Sequence, residues 1–139
     1  MIQKIWIKSF RCLSELFLDF SNSRFISIIS KNNTGKSSIL EACFVLGHLK
    51  SFHTKDIRQT VSANCESSFI GIQLQDISQS KNYYLKIMDT GKKFVSLNNE
   101  VVKNKSVIEH LFRCVYISSD SLLFITSTPS YRRERLDLM

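Results

Sequence analysis

A short apolar run opens into a polar loop closed by Gly-Lys-Ser and passes at once into a helical pattern, and this constrains the chain more than any other feature. The run is Phe25-Ile26-Ser27-Ile28-Ile29, the loop covers Ser30 to Ser38, and Ile39, Cys43 and Leu46 recur behind it at helical spacing. Strand, loop and helix in that order are the setting of a phosphate-binding loop. The N–H groups of such a loop and of the first helical turn converge on an anion, and the helix dipole favours negative charge there. Lys36 supplies a point charge for β- and γ-phosphates, and the Ser37 hydroxyl completes a Mg2+ shell. In G-x-x-x-x-G-K-[ST] the first position is Ser30, where glycine usually serves a sharp turn close to phosphate. Ser30 reads as a small structural substitute, because no partner base is evident that would make it a nucleophile. The expected cradle is Ser30, Lys31, Asn32, Asn33, Thr34, Gly35, Lys36, Ser37 and Ser38, with ATP and Mg2+ as its ligands.

Size and composition narrow the setting. A chain of 139 residues with 43% hydrophobic content suits a single compact domain. No apolar run approaches the roughly 18 residues that span a bilayer, and the alternating N-terminus Met1 to Lys8 has no signal-peptide core. Cys12, Cys43, Cys65 and Cys114 lie far apart with no C-x-x-C pair, so buried free thiols are expected rather than a metal site or disulfide framework. A net charge of +7 favours anionic partners, though basic composition alone does not specify nucleic acid.

Periodicity places the elements. Ile2 to Phe10 alternates as a strand, with Ile5 and Ile7 on one face and Trp6 on the other; Glu15 to Phe20 alternates again. Phe25 to Ile29 reads as a strand buried on both faces. A helix follows over Ser37 to Leu49, its stripe Ile39, Cys43, Leu46 widened by Ala42, Val45 and Leu49. Lys50 to Val61 is a polar connector. Ser67–Leu74, Asn82–Met88 and Lys93–Leu97 read as strands, with Asp89-Thr90-Gly91 and Asn98-Asn99 as turns and Val101-Val102 after them. Lys105–Phe112 reads as a helix, Cys114–Ile117 as a strand, Ser121–Ile125 as a brief helical piece, and Tyr131–Met139 as the start of another helix near Pro129 and Ser130. The fold class expected is α/β: a P-loop nucleotide-binding lobe with an antiparallel β subdomain over about 66–103 and a helical start over about 130–139. The last helix stops almost as it begins, which reads as a C-terminal truncation of the lobe.

Several separated stretches then resemble the RecF family of bacterial recombination-repair ATPases, relatives of ABC and SMC ATPases. Ile7-Lys8-Ser9-Phe10-Arg11 is similar to the family's K-N-F-R after the first strand. Asn32 to Ala42 is similar to its P-loop and first helix, and Lys50-Ser51-Phe52-His53-Thr54-Lys55-Asp56 resembles its K-S-x-R-T connector. Leu97-Asn98-Asn99 stands at the L-N-G turn, Val115 to Leu122 resembles V-L-F-S-P-E-D-L, and Thr128 to Asp137 resembles S-P-x-x-R-R-x-x-L-D. The resemblance implies ATP binding and adds Arg11 to the residues that approach the nucleotide. It further implies DNA, single-stranded or gapped duplex, as a partner, with ATP-dependent homodimerisation and recombination mediator proteins. A cytoplasmic role in recombinase loading and the SOS response completes what it implies. His53, Lys55, Arg132 and Arg133 are the DNA-contact candidates, with a solvated surface histidine the preferred reading for His53 and the exposed face of an initiating helix the preferred reading for Arg132 and Arg133. No apolar run ending in paired acids follows the P-loop, so nucleotide binding without hydrolysis is the expectation for this chain alone. Two other readings stay open: a non-functional remnant, and a piece of an OLD-like nuclease ATPase.

Overall fold

The computed structural model describes residues 1–21, 23–75, 79–103, 112–118, 128–130 and 133. β1 (Ile2–Phe10) and β2 (Leu13–Asp19) form a hairpin, followed by α1 (Lys36–His48) and a 3-10 turn (Ile57–Thr60). β3 (Ser67–Gln75), β4 (Ser80–Met88), β5 (Lys93–Leu97) and β6 (Glu100–Val101) complete a six-stranded sheet in the order β2-β1-β3-β4-β5-β6. Every pairing is antiparallel. The expected antiparallel subdomain is therefore continuous with the N-terminal hairpin, because β1 pairs with β3 over Ile2–Lys8.

Alternation sets the two faces of the sheet. Ile5 and Ile7, Ile70 and Ile72, and Tyr83, Leu85 and Ile87 sit at matching registers and are buried. Ile39, Ala42, Val45 and Leu46 of α1 close over them as the second layer of one core. Side chains at the intervening positions point to the opposite face. The Tyr83 hydroxyl donates to the Leu46 carbonyl at 2.9 Å, tying β4 to the last turn of the helix. Leu49 ends α1 in a left-handed conformation, its N–H donating to the Val45 carbonyl.

The turns follow their sequence signals. Gly91 has φ +85° and donates to the Met88 carbonyl at 2.8 Å, and Asn98 and Asn99 both have positive φ, the pair a tight hairpin demands. The expected helix Ser37–Leu49 is shifted by one residue at each end.

Two expected strands are absent. Phe25 to Ile29 pairs with no strand, and Phe25 and Ile29 are 95% and 90% exposed. Cys114 to Ile117 is likewise unpaired, with Val115 and Ile117 each 79% exposed. Both runs have strand-like composition. A strand buried on both faces needs a neighbouring strand and covering layers. Here Ile28 packs on the core, Tyr116 stacks on Phe52 and the Cys114 carbonyl meets His48, but among the described residues no strand runs alongside either segment. One cysteine also departs from expectation: Cys12 is exposed. The expected helices over Lys105–Phe112 and Ser121–Ile125 and most of the one over Tyr131–Met139 lie outside the described residues, but Pro129, Ser130 and Arg133 are helical.

Candidate functional site

The site forms where the loop meets α1. Gly35 occupies the N-cap with φ 96° and ψ 11°, and a Cβ there would stand 2.6 Å from Leu13 Cδ2 and 3.2 Å from Cys12 Sγ. Left-handed backbone and lack of room both demand glycine at this position. No side chain caps α1 at its N-terminus, and its first turn holds no acid. The first N–H groups of a helix have no partners of their own, so this end presents unmet donors and positive potential.

Around it the loop is closed by its own polar groups. Lys36 Nζ donates to the Ser30 carbonyl at 2.9 Å and the Lys31 carbonyl at 2.6 Å. Thr34 Oγ1 donates to the Lys31 carbonyl at 2.9 Å and meets Ser30 Oγ. Ser30 has no positive φ, whereas Asn33 does at 63°, so the strain of the turn sits at Asn33 and Gly35. The hydroxyl of Ser30 adds a contact to Thr34 Oγ1 that glycine would lack.

An open cleft of about 320 Å³ is lined by Cys12, Asn32, Asn33, Gly35, Lys36, Ser37 and Ser38. Most of the expected cradle is therefore gathered on one wall. Cys12 is the member that sequence reasoning missed; its Sγ lies 3.6 Å from Ser38 Oγ. Only the tight turn after β1 could have signalled it, because that turn brings the β1–β2 corner against Gly35. The set fits a polyphosphate: unmet backbone donors, a lysine whose ammonium rests on carbonyls it can leave, and hydroxyls at Ser37 and Ser38. Among the described residues no cluster of His, Cys, Asp or Glu side chains gathers to hold a metal, so a Mg2+ here would rest on Ser37 and the ligand's own oxygens.

Arg11 stands apart from this wall. Its Nε and Nη2 donate to Glu41 at 2.9 and 2.6 Å, and its Nη1 donates to the Gln59 carbonyl. Glu41 is 1% exposed and also accepts from Ser51 Oγ, which in turn accepts the His53 and Thr54 N–H groups. Arg11, Glu41 and Ser51 thus lock β1, α1 and the connector together. His53 and Lys55 are exposed on that connector, His53 against Phe52 at 4.5 Å between rings. Arg133 is exposed, while Arg132 lies outside the described residues. His53, Lys55 and Arg133 are not among the residues that line the cleft.

A glycine-bounded loop feeding the free N-terminus of a core helix, laid on an antiparallel sheet, defines an ATPase-type nucleotide-binding lobe. The chain belongs to the AAA ATPase domain family, whose model matches residues 1–129. Within it the resemblance to RecF holds over nearly the whole chain. The DNA replication and repair protein RecF of Histophilus somni (strain 2336) is 31% identical over 136 residues, covering 98% of this chain and 38% of the relative. The chain thus spans less than half the length of the curated relatives it matches. Among solved structures, the recombination mediator protein RecF with ATP aligns at TM-score 0.81 and 25% identity over 99% of this chain and 37% of its own. A chain from work on ATP-driven dimerisation of SMC ATPases aligns at TM-score 0.77 and 21% identity, over 99% of this chain and 98% of that one. The fold is that of RecF and SMC ATPase heads. No described helix is long and apolar enough to cross a membrane.

Proposed function

We propose that this chain is the ATP-binding lobe of a RecF-like DNA replication and recombinational repair protein. The observation that carries the proposal is the uncapped, acid-free N-terminus of α1, with Lys36 parked on the Ser30 and Lys31 carbonyls beside it. On this reading the triphosphate draws the Lys36 ammonium off the loop carbonyls, and the backbone of Asn32 to Ser38 surrounds the phosphates. The Ser37 hydroxyl would hold a Mg2+ ion, which would supply charge neutralisation for the phosphates. Arg11 acts through Glu41, holding α1 in place, and reaches nucleotide only if that pair opens. The lobe binds without hydrolysing on its own.

The wider role rests on the RecF likeness together with the net charge of +7. It comprises contact with single-stranded or gapped DNA through His53, Lys55, Arg132 and Arg133, ATP-dependent pairing of two copies, and work with recombination mediators in recombinase loading. The SOS response and a cytoplasmic location belong to the same proposal.

Cys12 gives a direct test. It is exposed and lines the cleft, whereas Cys43, Cys65 and Cys114 are partly buried. Alkylation of Cys12, followed by peptide mass spectrometry, slows at least several-fold when Mg-ATP is added. An unchanged rate at saturating Mg-ATP contradicts the proposal.

A further inference from the structure

The face of the sheet turned away from α1 carries side chains that a purely structural face does not need. Register places Phe17 opposite Trp6, Trp6 opposite Gly71, and Gly71 opposite Tyr84, one row across β2, β1, β3 and β4. The next row runs Glu15, Lys8, Phe69, Lys86, Phe94 across β2 to β5. Trp6 lies 5.5 Å from Phe17 and 6.5 Å from Tyr84 between ring centroids, and Phe69 lies 5.4 Å from Tyr84. Gly71 makes this possible: a Cβ there would stand 2.6 Å from the Tyr84 ring, so the ring lies across the strand where a side chain would have stood. The rings remain partly open to solvent, Phe17 at 52% and Phe94 at 43%.

Charge frames the rings. Lys8 and Lys86 flank Phe69 and are exposed, and Lys92 Nζ sits 5.0 Å above the Phe94 ring. Among the described residues the acids at strand positions of this face are Glu15 and Asp19, the latter 3.8 Å from Lys4. Stacking surfaces interleaved with lysines at strand spacing match an unpaired polynucleotide: bases lie on rings while phosphates meet ammonium groups. A duplex keeps its bases stacked on one another and has no use for the rings.

We propose that this face is a stacking platform for a single nucleic-acid strand, with Trp6, Phe17, Tyr84 and Phe69 receiving bases and Lys8 and Lys86 receiving phosphates. It lies across the sheet from the P-loop cleft and works without nucleotide, so its failure and the failure of the ATP reading are separable.

Trp6 is the only tryptophan in the chain and reports on the face directly. Titration of the nucleotide-free protein with an oligothymidylate of about ten residues quenches its fluorescence to saturation, and a blunt duplex of equal length competes poorly. Tyr84→Ala weakens binding at least about fivefold. Phe17→Ala, at an exposed position, also weakens it and serves if Tyr84→Ala unfolds. Lys8→Gln with Lys86→Gln lowers the slope of log affinity against log salt by about 1.4. The proposal is overturned by the absence of quenching in a folded protein, by variants that bind as the parent does, or by a duplex that competes equally.

Discussion

Glu41 and Gly35 show how residues with ordinary chemistry become fixed by their surroundings. Gly35 has both a left-handed backbone and Leu13 pressed against the place of a Cβ; the G-K-S spacing marks the position, but the contact with Leu13 is visible only in the fold. Glu41 follows the P-loop by helical spacing and gave no sign of being an ion-pair partner for a residue thirty positions earlier. Arg11 was expected near the nucleotide, and only the folded corner after β1 puts its guanidinium on Glu41. Removing the arginine leaves a carboxylate buried without its counter-charge. Arg11→Ala therefore destabilises the chain by about 3 kcal/mol, read as a lowered midpoint in urea unfolding. A loss below about 0.5 kcal/mol would mean that Glu41 finds solvent or another partner.

At the scale of elements, α1 owes its place to burial of one stripe on the sheet, and two acidic protons report on that contact. Burial pushes the Cys43 thiol up to about 12, with nearby Cys114 adding to the shift, and burial also raises the Tyr83 hydroxyl. Both groups stay neutral in the folded chain at pH values where the unfolded chain ionises them. The unfolded state then binds fewer protons, so stability falls as pH rises. The contribution is complete below about pH 8.5, where an unfolded thiol holds its proton, and drains away towards pH 12. The melting temperature accordingly declines from about pH 9 upward, and Cys43→Ala removes the first part of that decline. A flat profile to pH 11 would contradict the packing of α1. Periodicity exposed these elements well: alternation separated Ile5 and Ile7 from Trp6, and the asparagine and glycine turns fell where positive φ is needed. It failed at Phe25–Ile29 and Cys114–Ile117, because composition reports what a segment could pair with and not whether a neighbour is there.

For the molecule as a whole, those two runs leave Phe25, Ile29, Val115 and Ile117 facing solvent. Apolar side chains exposed in short runs invite association. The isolated chain therefore self-associates with rising concentration and binds a hydrophobic dye. Ile29→Lys combined with Val115→Lys lowers both without lowering the melting temperature, as sedimentation and dye fluorescence will register. Loss of melting temperature in that variant would show that the runs are packed in solution. The RecF and SMC likeness covers 99% of the chain, so the nucleotide lobe is recognisable as a unit even with these runs exposed.

Whether the free end of α1 takes a triphosphate decides more than any other question about this chain. Calorimetric titration with Mg-ATP should give saturable binding to the parent protein and none to a folded Lys36→Ala variant, which lacks that ammonium group. Absence of heat with a folded, monodisperse parent, or equal binding by Lys36→Ala, would contradict a working nucleotide site at Ser30 to Ser38.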